Sequence, residues 1–242
     1  MCKSLTPYML VLGPIVMMAG FVTLPDFEGV VGQEYLDEVN ALDLDMTFVK
    51  MFIVATGVLM LFGGFFLLSQ DLMANSGKVQ RDLLMMSRMG FMFAFTVFYL
   101  FFALQIESIA VAQGENDAYI ALDENDEDIT VSNAYYNNTM TVSDELALDT
   151  HYMGQSIWGS MPIAWGAALI LFGIAAVTGN NSPKESMEWA YGLPIIGGLV
   201  MMVSFLGVGG FAAFLLAMFC AVPIGILMLT GHLKDTGADS EE

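Results

Sequence analysis

Residues 190–230 read AYGLPIIGGLVMMVSFLGVGGFAAFLLAMFCAVPIGILMLT, a run of 41 residues without a charged side chain. A helix needs roughly 20 apolar residues to cross the ~30 Å hydrocarbon core of a bilayer, so this run is too long for one span. The segment Gly207-Val208-Gly209-Gly210 stands near its middle, where a tight turn favours residues without a Cβ. The sequence therefore predicts two membrane spans here, over residues 190–207 and 209–230.

Four further apolar blocks each have the length of one span. They cover residues 8–24, 51–69, 83–106 and 157–177. Hydrophobic residues make up 56% of the chain and charged residues 14%, whereas soluble domains carry about 25% charged residues. The mean hydropathy is +0.65. We expect an all-α integral membrane protein with six transmembrane helices in one domain, and its first span to be retained, because no clear cleavage site follows it.

The basic residues indicate the orientation of these spans. With six spans, six of the seven basic residues fall on one side of the membrane, and the exception, Lys50, borders the other end of span two. The six are Lys3, Lys78, Arg81, Arg88, Lys184 and Lys234. Because basic residues are enriched in cytoplasmic loops, we expect a multi-pass protein of the plasma membrane with both termini, including the tail 231–242, in the cytoplasm.

The acidic residues are concentrated on the opposite side. The predicted outer loops, residues 25–47 and 107–155, hold 18 of the 26 carboxylates of a chain whose net charge is −19. An acidic surface of this kind attracts cations and repels anions. Nucleic-acid binding is excluded as a function class, because phosphate contacts require a basic surface. We expect the two loops to form a small acidic extracytoplasmic cap.

Both outer loops contain patterns of secondary structure. Residues 33–43 place four apolar side chains at helical spacing, which predicts a short amphipathic helix, with an irregular acidic loop as the alternative. The four are Tyr35, Leu36, Val39 and Leu42. Residues 129–142 are rich in Thr, Val and Tyr and predict a small β-hairpin or cap. Asn137 begins the sequon Asn-Asn-Thr on the side where a host can glycosylate it.

The acidic run 121–128, ALDENDED, is the strongest candidate for a metal site. It begins like an EF-hand loop, but Asp128 stands where that loop needs Gly and Ala134 where it needs a bidentate Glu. Two interpretations remain, a solvated acidic face and a weak surface for divalent cations. The candidate cation-binding residues are Asp123, Glu124, Asp126, Glu127 and Asp128.

No catalytic or cofactor constellation is recognisable. Cys2 and Cys220 form no C-x-x-C motif, and His151 and His232 both lie outside the predicted spans, so neither paired haem ligation nor a buried Ser/His site is expected. The methionines of span three could suit Cu(I), but methionine is also an apolar filler, and we favour that interpretation. We expect no cofactor and lean against an enzyme.

Small residues recur at four-residue spacing in two spans. Such ridges allow helices to approach closely in lipid, so spans four and six are predicted to be tightly packed, either within one chain or across an interface in a homo- or hetero-oligomer. The ridge of span six comprises Gly209, Ala213, Ala217, Ala221 and Gly225. The ridge of span four comprises Ser156, Ser160, Ala164 and Ala168.

Two functions are compatible with these patterns. The first is a non-enzymatic structural or accessory subunit embedded in the lipid bilayer. The alternative is a channel or permease for a cation or small neutral solute, with an acidic outer vestibule. The two differ in the bundle interior, because transport needs a continuous polar path. Four hydroxyl residues in the spans are candidates for that path, namely Thr56, Thr96, Tyr99 and Ser204.

Overall fold

The computed structural model describes residues 5–25, 30–74, 76–114, 130–133, 138–178, 188–207 and 210–233. Within these residues the chain is almost entirely helical. The first four helices are α1 (Thr6–Phe21), α2 (Gln33–Asn40), α3 (Leu44–Ala74) and α4 (Lys78–Ala112). Two short strands follow, β1 (Thr130–Asn133) and β2 (Asn138–Thr141), and then α5 (Val142–Trp158) and α6 (Met161–Val177). A 3₁₀ turn (Glu188–Gly192) leads into α7 (Leu193–Ser204), α8 (Gly210–Phe219) and α9 (Ala221–Leu229).

Four helical stretches are long and apolar enough to cross a membrane. They are Leu44–Ala74, Lys78–Ala112, Val142–Val177 and Gly210–Leu229. Two shorter apolar helices, Thr6–Phe21 and Trp189–Ser204, have the sequence character of spans. At 16 residues each, they rise about 24 Å, which is less than the ~30 Å hydrocarbon core.

Proline explains where two of the later apolar helical stretches are interrupted. Its ring clashes with the carbonyl four residues earlier and supplies no N–H. Pro162 follows the last residue of α5, Trp158, by four positions, and Pro223 follows the last residue of α8, Phe219, by the same number. The paired helices α5/α6 and α8/α9 therefore each form one helical stretch, long and apolar enough to cross a membrane, with a local break.

The turn between α7 and α8 falls in the predicted glycine segment. Gly207 and Gly210 have φ values of 80° and 37°, a region that residues with a Cβ rarely adopt. The 41-residue run is accordingly divided into two antiparallel helical stretches.

The apolar helices form a closed ring in sequence order. Helix α1 packs against α3, α3 against α4, α4 against α5 and α6, α6 against α7, and α7 against α8. Helix α9 then returns to α1. The centre of this ring is occupied by a group that we name the central aromatic cluster, which comprises Phe62, Phe98, Trp165 and Phe214.

Two of the helix pairs in the ring show the closest approaches at backbone distance. A Cβ placed on Gly57 of α3 would lie 2.3 Å from the backbone nitrogen of Met17 in α1. A Cβ placed on Gly198 of α7 would lie 2.5 Å from the carbonyl oxygen of Gly166 in α6. Only glycine therefore fits these contacts.

The elements outside the ring lie at one end of it. We name this the acidic end, because it carries α2, and we name the other the basic end, because α4 begins there with Lys78 and Arg81. The strands pair antiparallel with Thr130 opposite Thr141 and Asn133 opposite Asn138, in the segment for which the sequence predicts a hairpin or cap. The predicted amphipathic helix is present over Gln33–Asn40, with Leu42 just beyond its end.

The helices also extend into segments that the sequence assigns to loops. Helix α3 begins at Leu44 inside the predicted loop 25–47, and α4 and α5 occupy both ends of the predicted loop 107–155. Hydropathy marks only the apolar part of a helix, whereas its backbone hydrogen bonds continue into polar sequence where packing supports them.

Candidate functional site

A buried polar cluster joins α2 to the acidic ends of α4 and α5. Tyr35, Leu36 and Val39 form the buried face of α2. The side chain of Gln113, just past α4, donates to the carbonyl oxygens of Val39 and Leu42 at 2.7 and 3.0 Å. Because the last carbonyls of a helix lack partners within it, this amide caps α2 and ties it to the bundle.

Tyr35 is the centre of this contact. Its hydroxyl lies 2.7 Å from Ser108 Oγ, and Ser108 Oγ donates to the carbonyl oxygen of Ala147 at 2.6 Å. A serine hydroxyl has one proton, so Tyr35 must donate to Ser108. Burial raises the pKa of Tyr35 to about 12, with the hydrogen bond to Ser108 acting in the opposite direction. The chain from Tyr35 through Ser108 to Ala147 thus links three helices.

His151 lies beside this chain and corrects one prediction. The sequence predicts no buried histidine, but the side chain of His151, in α5, is 2% exposed. Its Nδ1 lies 2.9 Å from Oε1 of Gln105, and its ring centroid lies 4.0 Å from that of Tyr35. The expectation of no buried histidine is wrong because Tyr35 of α2 packs against the imidazole and Gln105 of α4 bonds its Nδ1.

These contacts position α2 and do not assemble a nucleophile. Nucleophilic catalysis by serine needs a base within hydrogen-bond reach of the hydroxyl. Ser108 instead bonds Tyr35 and Ala147, and His151 bonds Gln105. The cluster is therefore a rigid joint between the cap helix and the bundle.

The four hydroxyl residues proposed for a polar path do not line a common interior. Thr56, Thr96 and Ser204 each donate to a carbonyl of their own helix. Thr96 and Tyr99 lie on the exposed face of α4, from which Tyr99 donates to the carbonyl oxygen of Ala55 on α3. All four hydroxyl groups therefore donate to nearby backbone carbonyls and do not face one another across the bundle.

Aromatic rings fill the bundle centre instead. The ring centroid of Trp165 lies 5.2 Å from that of Phe62 and 5.4 Å from that of Phe214, both in edge-to-face geometry. Phe98 lies 6.1 Å from Trp165. The indole Nε1 of Trp165 is buried and has no hydrogen-bond partner among the described residues. The four rings come from α3, α4, α6 and α8, so they close the space among these helices.

The small-residue ridge of span six lies against other helices of the same chain. Ala213, Ala217, Ala221 and Gly225 are all buried. A Cβ on Gly197 of α7 would lie 3.2 Å from Ala217 Cα, whereas a Cβ on Gly225 would lie 2.8 Å from the carbonyl oxygen of Pro7 in α1. Gly209 lies outside the described residues.

The ridge of span four contacts a different partner. Ala168 is fully buried, and a Cβ on Gly90 of α4 would lie 2.9 Å from its Cβ. Ala164 and Ser160 are half-buried, while Ser156 is exposed. The two ridges do not face each other. The direct ring contacts between α6 and α8 are made by Trp165 and Phe214.

The candidate cation surface and the sequon cannot be placed. Asp123, Glu124, Asp126, Glu127, Asp128 and Asn137 all lie outside the described residues. Within the part of the chain that the structure describes, no group of three or more His, Cys, Asp or Glu side chains has the arrangement of a metal site.

Two features of the structure are not predicted from the sequence. One is the buried cluster, whose signal is the pair Gln105 and Ser108, three residues apart at the end of an apolar run. The other is the glycine contact of α1 with α3. Each of these helices carries two of its glycines at a spacing of seven residues, namely Gly13 and Gly20 in α1 and Gly57 and Gly64 in α3.

Fold and site together define a helical protein with four helices able to cross a membrane, with a short acidic helix fixed across one end. Comparison of the chain with protein-family models, with curated proteins and with solved structures gives no match.

Proposed function

We propose that the protein is a six-span, non-enzymatic membrane protein that acts as a structural or accessory subunit. The observation that carries this proposal is the central aromatic cluster. Its four side chains are each at most 7% exposed. A protein that conducts ions or solutes requires a polar route, and rings in mutual contact at the bundle centre are unsuited to that task.

The six-span topology rests on the closure of the ring. The two shorter helices, Thr6–Phe21 and Trp189–Ser204, occupy positions between the longer ones and share their apolar surroundings. Short spans are accommodated by local thinning of the bilayer or by interfacial anchors. Trp189 is 57% exposed at the basic end, where an amphipathic ring can anchor the helix at the interface.

The orientation follows from the distribution of charge. Lys78, Arg81 and Arg88 belong to the basic end, and the positive-inside rule assigns that end to the cytoplasm. At the plasma membrane, the acidic end with α2 then faces the outside of the cell. The segment 121–128 belongs to a loop that is expected on the same side.

The acidic face of α2 is the surface that we propose for a partner subunit. Glu34, Asp37 and Glu38 are exposed, while the opposite face is held by Tyr35 and its hydrogen bonds. A fixed surface loses little conformational freedom on binding, which favours its use in recognition. The expected partner presents basic residues on its extracytoplasmic side.

A flux assay distinguishes this proposal from a channel or permease. The purified protein is reconstituted into vesicles loaded with Na⁺, K⁺ or glycerol, and efflux is compared with that from empty vesicles and from vesicles holding a known pore. We expect efflux equal to that of empty vesicles. Efflux that rises in proportion to the amount of protein would overturn the accessory function in favour of transport.

A second experiment tests the acidic surface directly. The tagged protein is crosslinked in its native membrane and isolated, and partners present in stoichiometric amounts are identified. Reversal of charge at Glu34, Asp37 and Glu38 should reduce recovery of such a partner, whereas Asp82→Lys at the basic end should not. Equal recovery with both variants would remove α2 from the interface.

A further inference from the structure

Arg88 is a charged residue inside a candidate span, and its contacts within the described residues are with uncharged groups. It lies ten residues into α4 and is half-buried. Its Cζ atom lies 4.0 Å from the ring centroid of Phe66 on α3, and Nη1 donates to Met73 Sδ at 3.7 Å. Both partners are uncharged, and thioether sulfur is a weak acceptor.

Within the described part of the chain, the remaining donors of Arg88 are not matched by an acid. Its Nε atom is buried and has no hydrogen-bond partner among the described residues. Those residues also provide no carboxylate partner for the guanidinium. An ionisable side chain within a transmembrane segment normally pairs with a group of opposite charge, and one that does not indicates a binding site.

Arg81 extends this positive surface toward the basic end. It lies seven residues before Arg88, so the two side chains share one face of α4 about 10 Å apart along its axis. Arg81 is exposed. Met85 lies between them on the same side of the helix and is 57% exposed. A basic patch therefore borders an apolar surface that faces lipid.

We propose that this patch binds the headgroup phosphate of an anionic phospholipid at the basic ends of α3 and α4. The planar guanidinium of Arg88 presents a pair of donors that matches two phosphate oxygens. Arg81 adds a second positive charge at the headgroup level, and the acyl chains lie along Met85. The proposal rests on the membrane-crossing role of α3 and α4 that is proposed above.

The position of Arg88 selects a lipid over a soluble anion. The guanidinium lies between two helices and against an aromatic ring, within the span and not beyond its end. A lipid brings its phosphate to this level of the bilayer and adds acyl contacts. Basic pockets between transmembrane helices on the cytoplasmic side are suited to such headgroups.

Binding of labelled phosphatidylglycerol to the full-length protein in phosphatidylcholine nanodiscs tests this proposal. Because a hydrogen bond to a charged group contributes about 1.5–3 kcal/mol, Arg88→Gln should weaken binding by about tenfold or more. The matched control, Lys50→Gln, removes the same charge at the acidic end of α3 and should change the affinity by less than about twofold.

A conservative variant and two competition experiments complete the test. Arg88→Lys retains the charge without the paired donors and should bind about threefold more weakly, which covers the case in which Arg88→Gln does not fold. Inorganic phosphate should not displace the labelled lipid, and unlabelled phosphatidylcholine should compete poorly. Arg81→Gln should also weaken binding. Wild-type affinity in folded Arg88→Gln, wild-type affinity in both Arg88→Lys and Arg81→Gln, or displacement by inorganic phosphate would overturn the lipid site. Failure of this site would leave the flux result, and hence the proposed function, unaffected.

Discussion

The contact of α1 with α3 can be tested by adding one methyl group. In Gly57→Ala, the new Cβ would lie 2.3 Å from the backbone nitrogen of Met17 and 2.5 Å from its Cα. Carbon contacts are most favourable at about 3.5–4.0 Å, so α1 would have to move by roughly 1 Å. Backbone atoms cannot rotate away as a side chain can. Overpacking of this kind costs about 1–3 kcal/mol, and sometimes more.

Gly63→Ala is the matched control in the same helix. Its new Cβ would meet only Met9 Cε, at 2.6 Å, which is the end of a flexible side chain. Both substitutions gain about 1 kcal/mol of helix propensity, so the difference between the two variants isolates the backbone clash. We expect Gly57→Ala to be less stable than Gly63→Ala by about 2 kcal/mol, which corresponds to about 4–8 °C in melting temperature for a chain of this size.

The assay is thermal unfolding of the purified protein in mild detergent, followed by tryptophan fluorescence. Size-exclusion chromatography before heating establishes that both variants have the same oligomeric state. Equal melting temperatures for the two variants would refute the backbone contact between α1 and α3. A fall of similar size in Gly63→Ala would show that general crowding, and not this contact, limits the packing.

Three further outcomes follow from the same packing. Ala217→Leu should destabilise the monomer by about 1–3 kcal/mol in thermal unfolding, because Ala217 faces α7. Leu216→Ala, on the exposed face, should lower the free energy of unfolding by less. Loss of an oligomer without loss of monomer stability would contradict this prediction. Ser108→Ala should cost about 1–3 kcal/mol by leaving the hydroxyl of Tyr35 without its acceptor, against about 0.5 kcal/mol or less for exposed Ser156→Ala. The pKa of Tyr35 is raised from 10.0 to about 12, so its contribution is complete below pH 10 and is lost as the pH rises through about 12. In thermal unfolding at increasing pH, the free energy of unfolding of the wild type should therefore fall by up to about 3 kcal/mol, and that of Tyr35→Phe should not.

The positions of the helices could be predicted from the sequence because they depend on local features, namely the length of the apolar blocks and the residues that interrupt them. Long apolar blocks favour helices in lipid. Four of the six predicted blocks fall in helices long enough to cross a membrane, and the other two fall in shorter apolar helices. The glycines at 207–210 predict the turn because the conformation there excludes most other residues. The short helix α2 follows from the spacing of Tyr35, Leu36 and Val39.

The buried cluster could not be read in this way because its parts are distant in sequence. Tyr35 and Ser108 are 73 positions apart, and Gln105 and His151 are 46 apart. Each residue taken alone is ordinary at the end of a membrane helix. Their burial depends on where α2 lands on the bundle, which local patterns do not specify. For the same reason, the small-residue spacing predicts that spans four and six are tightly packed but does not identify the helix that each ridge contacts.

The glycine contacts and the aromatic cluster together explain why the bundle centre is closed. Backbone contact between α1 and α3, and between α6 and α7, sets these pairs at the closest distance that helices can reach. The closed ring then surrounds a narrow space, which four aromatic rings fill in edge contact. Opening a path would require either separating helices already locked by glycine or displacing Trp165 from between Phe62 and Phe214. Both changes would lose van der Waals contacts between helices, and the bilayer provides no hydrophobic force that would compensate for this loss. The closed centre of the bundle therefore follows from the packing itself. Contacts with partners are then expected at the ends of the helices.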